Sequence, residues 1–169
     1  MLDGWVARSK TRPMTHVPIP SRLDIDTVAP TFSRALAHLD SATTAELDAA
    51  GIEPDLRELV RIRASQLNGC AYCVAVHTED ALRAGVAVGR VAAVPVWRES
   101  PFFSARERAA LELTDTITCA VNHHVPDAEW RAGATAFTPT ELGALVALVV
   151  TINAWNAVGV TTRAWAPEL

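Results

Sequence analysis

The chain has 169 residues, half of them hydrophobic and a fifth charged, a balance that builds one folded domain and excludes a disordered polar chain. A formal charge of −4 and a pI near 5.7 lack the basic footprint that nucleic-acid or anionic-membrane binding calls for, so neither partner is expected. The apolar run Leu142 to Ile152 falls well short of the roughly 20 residues a membrane-spanning helix needs and reads as a buried helix.

Residues 1 to 21 carry Pro13, Pro18 and Pro20 and read as an extended arm ahead of a helical domain from residue 22 to 169. The arm has no apolar core of secretory type, so a reducing cytoplasm is the expected compartment. Pro30 opens a short helix to about Leu39, and Thr43 to Ala50 forms another that Gly51 stops. Pro54 opens a stronger one, whose stripe of Leu56, Leu59, Val60, Ile62, Ala64 and Leu67 runs until Asn68-Gly69 bends the chain.

Helix resumes from Cys70 to Ala84, with Gly85 where a left-handed residue belongs. A capping box at Ser104 and Glu107 starts a helix to about Val121, and a second at Thr138 and Glu141 starts one to about Ala157. Asp127 to Ala136 forms a helix between them. No stretch alternates with period two, so the fold class is all-α. The last helix is apolar nearly all round, more surface than a chain of this size covers alone, and a homo-oligomer is expected.

Three cysteines make an odd set, unsuited to a disulfide framework but compatible with one working pair and a spare. On a helix advancing about 100° per residue, Cys70, Cys73 and His77 fall within an arc of about 60°. Cys73 is thus neighbour to both: a disulfide can close between the thiols, and the imidazole can reach the second sulfur. A working thiol must be ionised, and two devices are at hand. The helix start offers unpaired N–H groups to Cys70, while His77 offers a base to Cys73. The first favours Cys70 as nucleophile and the second Cys73; the adjacent base tips the choice to Cys73. Glu58 shares a helical face with Ile62 and Ser65, and the bend at Asn68-Gly69 lets it turn toward the cysteines to orient or relay.

Other readings compete. Zinc bound by Cys70, Cys73 and His77 would take Cys119, His123 or His124 as its fourth ligand, but the second cysteine pair usual in structural sites is missing. Cys119, mid-helix among apolar residues, reads as core filler, and His123 and His124 as complements to a helix C-terminus. Glu58 can instead pair in solvent with Arg61 or Arg63, and Arg57, Arg61 and Arg63 read as a wet face. Trp97, Trp130, Trp155 and Trp165 read as core or interface anchors, one of which can wall a pocket, and Tyr72 as a pocket cap or a packing residue.

Glu58, eleven residues, Cys70, two residues, Cys73, three residues, His77 resembles the core of the alkyl hydroperoxidase D group within the carboxymuconolactone decarboxylase-like superfamily. The likeness extends from about Ile19 to Trp165 through NGCAYC (68–73), HTEDALRAG (77–85), VWRESPFFSARERAAL (96–111), HVPD (124–127) and INAWN (152–156). It implies an all-helical, AhpD-like bundle with the CxxC at a helix start, assembled as a dimer, trimer or hexamer. It implies a peroxidase of peroxiredoxin type that reduces hydroperoxides without metal or organic cofactor.

In that resemblance Cys73 is the attacking thiolate, Cys70 the resolving thiol, and Glu58 with His77 the proton relay, with Tyr72 at the substrate pocket. A dithiol reductant protein, thioredoxin-like or lipoyl-bearing, would reopen the disulfide. Two positions depart from the family pattern: Tyr72, where well-studied members carry histidine, and Ala75, where many carry aspartate. A lactone decarboxylase and a redox sensor without turnover are the other functions compatible with this framework.

Overall fold

Prolines, glycines and capping residues punctuate this chain, and a computed structural model, which describes residues 17–120 and 124–167, shows where each helix begins and ends. Among the described residues there is no strand. The helices are α1 (Ile25–Val28), α2 (Pro30–Ala50), α3 (Pro54–Asn68), α4 (Ala71–Arg83), α5 (Val88–Ala93), a 3-10 helix (Val94–Glu99), α6 (Ala105–Cys119), α7 (Asp127–Ala136) and α8 (Pro139–Thr162). Residues 17–21 of the expected arm have no helix or strand; the rest of it, and His123, lie outside the described residues.

Both capping boxes form. Ser104 Oγ accepts from the Glu107 N–H while Glu107 accepts from the Ser104 N–H, and Thr138 and Glu141 repeat the exchange at the head of α8. Gly69 ends α3 at φ +70°, a left-handed conformation that turns the chain straight into α4. The expected pair of helices at 30–39 and 43–50 is instead one unbroken helix. No proline or glycine interrupts residues 40–43, and Ser41 returns its hydroxyl to the Ala37 carbonyl (3.1 Å), so the polar run bonds within the helix instead of ending it. Helix α8 continues past Ala157 to Thr162, and the short elements α1, α5 and the 3-10 helix carried no recognisable signal.

Helix α3 is the hub, packed against α4, α6 and α8. Its buried residues divide between two cores. Leu56 and Val60 join Leu47, Leu113, Leu145 and Leu148, while Leu59 and Ile62 join Val91, Val94, Trp97 and Leu111. Each fully buried leucine contributes about 2 to 3 kcal/mol over leaving it in water. Leu67, read as part of the stripe, is exposed, because α3 is ending there and turns that side to solvent. Helix α8 is a core helix, with Leu145, Leu148 and Val149 buried against α2, α3 and α6.

Three polar contacts lock α3 and α8 in register. Asn68 Nδ2 donates to Asn153 Oδ1 (2.5 Å) and Asn156 Oδ1 (2.9 Å), and Asn156 Nδ2 donates to Ser65 Oγ (3.0 Å). Asn156 and Ser65 are fully buried, so these bonds satisfy groups that would otherwise be costly to enclose. The network fixes the end of α3 from which the next helix departs.

Candidate active site

That departure delivers the cysteines. Cys70 is the N-cap of α4, its Sγ accepting from the Cys73 N–H (3.3 Å), and Cys73 lies in the first turn. The two are disulfide-bonded, with Cα atoms 5.3 Å apart. Both are buried, 2% and 4% exposed. Both sulfurs thus lie at the amide end of α4.

Glu58, on the second turn of α3, faces α4 across the Gly69 bend and is 7% exposed. Its Oε2 lies 2.9 Å from His77 Nδ1, and its Oε1 accepts from Arg61 Nη1 at 2.5 Å. Burial works against its charge, but the His77 hydrogen bond and the Arg61 guanidinium outweigh burial and hold the carboxyl below the usual glutamate range. An ionised Glu58 accepts from Nδ1–H, which leaves His77 Nε2 as the proton-accepting nitrogen of the neutral ring. Asp80 Oδ2 lies 3.9 Å from the same Nδ1.

A cavity of about 490 Å³ opens beside this set, with Cys73, His77 and Arg61 on its wall. Tyr72, Val76, Ile152, Trp155 and Trp165 make its apolar side, and Asp26, Asp40 and Asp80 lie among its polar lining. Trp165 packs edge-on to Trp155 (centroids 5.5 Å) and tilted against Tyr72 (5.6 Å), and its Nε1 donates to Asp26 Oδ2 (3.1 Å). Cys70 is not on that wall; it sits behind Cys73, against Gly159 of α8.

All five residues singled out in the sequence, Glu58, Cys70, Tyr72, Cys73 and His77, therefore meet at one place. Glu58 is not the solvated carboxylate of the competing reading; it is buried, and Arg61 is only one of its two partners. The wet face of Arg57, Arg61 and Arg63 is also corrected. Their side chains are 13 to 14% exposed, because Arg57 pairs with Asp48 and the Ile52 carbonyl, Arg61 with Glu58, and Arg63 with Asp115. Cys119 is exposed at the end of α6 instead of filling the core, since the helix stops there. His124 is exposed as well.

Of the tryptophans, Trp97 is core, Trp130 is exposed, and Trp155 and Trp165 both wall the cavity. Asp26 and Gly159 were not foreseen here, and Arg61 was foreseen only as a partner of Glu58 in solvent. Arg61 was legible as the i+3 partner of Glu58 and Gly159 as a glycine inside a helix, whereas nothing near Asp26 announced its contact with Trp165, 139 residues away.

The all-α bundle thus brings a disulfide-bonded cysteine pair and a carboxylate–imidazole couple together beside one cavity. Residues 30–116 match the model of the carboxymuconolactone decarboxylase family, and the chain belongs to that family. It is 36% identical over 111 residues to the uncharacterised protein YdfG of Bacillus subtilis, spanning 66% of this chain and 76% of that one.

Among solved structures it resembles a protein of unknown function from Agrobacterium tumefaciens that its name assigns provisionally to antioxidant defence as an AhpD. The TM-score is 0.82 with 27% identity, covering 89% of this chain and all of the other. It shares its fold with the debrominase Bmp8, of which a cysteine-to-alanine variant was solved in complex with 2,3,4-tribromopyrrole (TM-score 0.71, 20% identity, 83% of this chain and 72% of that one).

Proposed function

We propose that this protein is a thiol-dependent hydroperoxide reductase of the alkyl hydroperoxidase D type. The observation that carries the proposal is the asymmetry of the sulfur pair: Cys73 is on the cavity wall with His77, and Cys70 is behind it. In the reduced protein, a substrate in the cavity meets Cys73 first.

The Cys73 thiolate attacks the distal oxygen of ROOH and the O–O bond breaks. The alkoxide takes a proton and leaves as ROH, and Cys73 becomes a sulfenic acid. His77, oriented through Nδ1 by Glu58, takes the Cys73 proton at Nε2 and returns it to the leaving oxygen. Cys70 thiol then attacks the sulfenic sulfur, releasing water and forming the Cys70–Cys73 disulfide.

An external dithiol protein, thioredoxin-like or lipoyl-bearing, takes up the oxidation and restores both thiols. Such a cycle suits a reducing cytoplasm. Arg61 holds Glu58 Oε1 so that Oε2 is left for the imidazole. Tyr72 with Trp155 and Trp165 gives the cavity an apolar side suited to the alkyl or aryl part of an organic hydroperoxide. The working form is a homo-oligomer, supported by Val28, Phe32, Leu39 and Val150, which a single subunit leaves exposed.

The test is stoichiometric. Protein reduced and freed of reductant should consume one equivalent of cumene hydroperoxide or hydrogen peroxide and end as the intramolecular disulfide, with turnover once a dithiol is supplied. Thiols that survive peroxide at neutral pH overturn the reading. Sedimentation of the pure protein tests assembly.

A further inference from the structure

Helix α8 carries Gly143 and Gly159, although glycine weakens a helix interior relative to alanine. Their surroundings differ sharply. A Cβ placed on Gly143 meets nothing within 4 Å. One placed on Gly159 stands 2.9 Å from Cys70 Sγ, 3.8 Å from Cys73 Sγ and 3.8 Å from Trp165 Cε3. Carbon and sulfur do not rest at 2.9 Å without repulsion, so one of them must move.

Whether it can move depends on the oxidation state. A free Cys70 thiol has other staggered χ1 positions to turn to. A Cys70 bonded to Cys73 has none without pulling on the first turn of α4, which the Cys70 Sγ also caps.

We propose that Gly159 is a positioning residue for the thiol–disulfide step: the bare backbone of α8 is the seat that Cys70 Sγ occupies to close on Cys73. An alanine there selects against the disulfide and spares the dithiol. Within the peroxide cycle, on which only this clause rests, the step it assists is Cys70 attack on the Cys73 sulfenic sulfur, with the S–O bond broken and water released.

The experiment needs no peroxide. Parent, Gly159→Ala and Gly143→Ala proteins are equilibrated with mixtures of reduced and oxidised glutathione, where protein dithiol plus one oxidised glutathione gives protein disulfide plus two reduced glutathiones. The disulfide fraction is read by acid quench, alkylation and intact mass. Gly159→Ala should lower the equilibrium constant for disulfide formation about tenfold, which is about 30 mV for this two-electron couple. Gly143→Ala should leave it unchanged.

Reduced Gly159→Ala should melt no lower than the parent, because alanine favours the helix. Should the oxidised variant fail to fold, Gly159→Ala combined with Cys70→Ala restores folding if the sulfur is what the methyl group strikes. An unaltered equilibrium constant in Gly159→Ala, an equal shift in Gly143→Ala, or a double variant that still fails to fold each overturns the proposal. Absence of peroxide consumption by the parent would overturn the peroxidase reading alone and leave the glutathione result standing.

Discussion

Glu58 on α3 and Asp115 on α6 are both nearly covered carboxylates that keep their charge because donors lie against them, His77 and Arg61 at Glu58 and the guanidinium groups of Arg63 and Arg98 at Asp115. Asp115 accepts from Arg63 Nε (2.5 Å) and Nη2 (2.9 Å), from Arg98 Nη1 (2.7 Å) and from the Trp97 indole (3.3 Å). Burial opposes its ionisation, and the bonds from Arg63 and Arg98 outweigh that and hold it below the usual aspartate range. Around it, Arg98 stacks on Trp97 at 4.3 Å, and Arg108 donates to the carbonyls of Trp97, Arg98 and Ser100.

Every partner of Asp115 is a fixed donor, so this cluster can only fasten the 94–100 segment to α6. Glu58 has one fixed donor and one imidazole, a side chain that exchanges protons near neutral pH, and that imidazole stands on a cavity wall beside a sulfur. The same electrostatic device makes a fastener in one place and, in the proposed cycle, a proton path in the other, according to what the second partner is.

The sharpest way to separate the two is to remove the chemistry. Cys73→Ser should abolish peroxide consumption, and Cys70→Ser should leave a Cys73 sulfenic acid that a dimedone-type reagent captures. Asp115→Asn should retain the parent's rate per folded molecule, and a loss there comparable to Cys73→Ser would end the distinction.

Next in size, Glu58→Gln should slow peroxide attack by about 100-fold at neutral pH, as expected when a proton relay loses its orienting carboxylate. Rapid-mixing thiol oxidation measures it. Asp115→Asn should instead cost about 2 kcal/mol of stability in urea unfolding, the penalty of stranding buried arginines discounted for the half-exposed Arg98.

Acid should reveal both carboxylates together. Each ionises more readily folded than unfolded, so each contributes stability that is complete above its ordinary pKa, 4.5 for Glu58 and 3.8 for Asp115, and is lost as pH falls through the lower folded value. Urea midpoints should therefore fall below about pH 4.5, and Glu58→Gln should flatten the upper part of that fall. An unchanged acid limb would mean that Glu58 is no more ionised folded than unfolded.

The smallest effect belongs to a site far from either cluster. Thr138→Ala removes the N-cap of α8 and should cost about 1 kcal/mol with no change in thiol chemistry. Glu141, held to about 2 mainly by the Thr138 backbone N–H, should remain ionised through the acid range that titrates Glu58.

Much of this was readable from the chain. Proline and glycine positions and two capping boxes located the long helices because each acts locally, through a fixed φ, an αL residue or an N–H acceptor. The cysteine and histidine spacing placed three side chains on one face for the same reason. What the sequence withheld depended on distant partners. The burial of Arg61 and Arg63 follows from where Glu58 and Asp115 come to rest, the 3-10 helix is held by Arg108 and Arg98 and α5 by Arg90 pairing with Glu107, and Trp165 reaches the cavity only because the chain returns past the end of α8. The continuity of α2 was missed because two helices were expected at 30–39 and 43–50, whereas Ser41 between them bonds one turn back within the helix.

The cavity is closed on one side by the segments that flank the helical core. Arg22 and Leu23 donate their backbone N–H groups to the Thr162 carbonyl (2.8 and 3.1 Å), which brings Asp26 to Trp165. The helices that hold the sulfurs thus do not supply all of the cavity's wall. On the proposed reading, substitutions in these two peripheral stretches would reshape the cavity wall and retune which hydroperoxide fits, while Glu58 on α3 and the cysteines heading α4 stay in place.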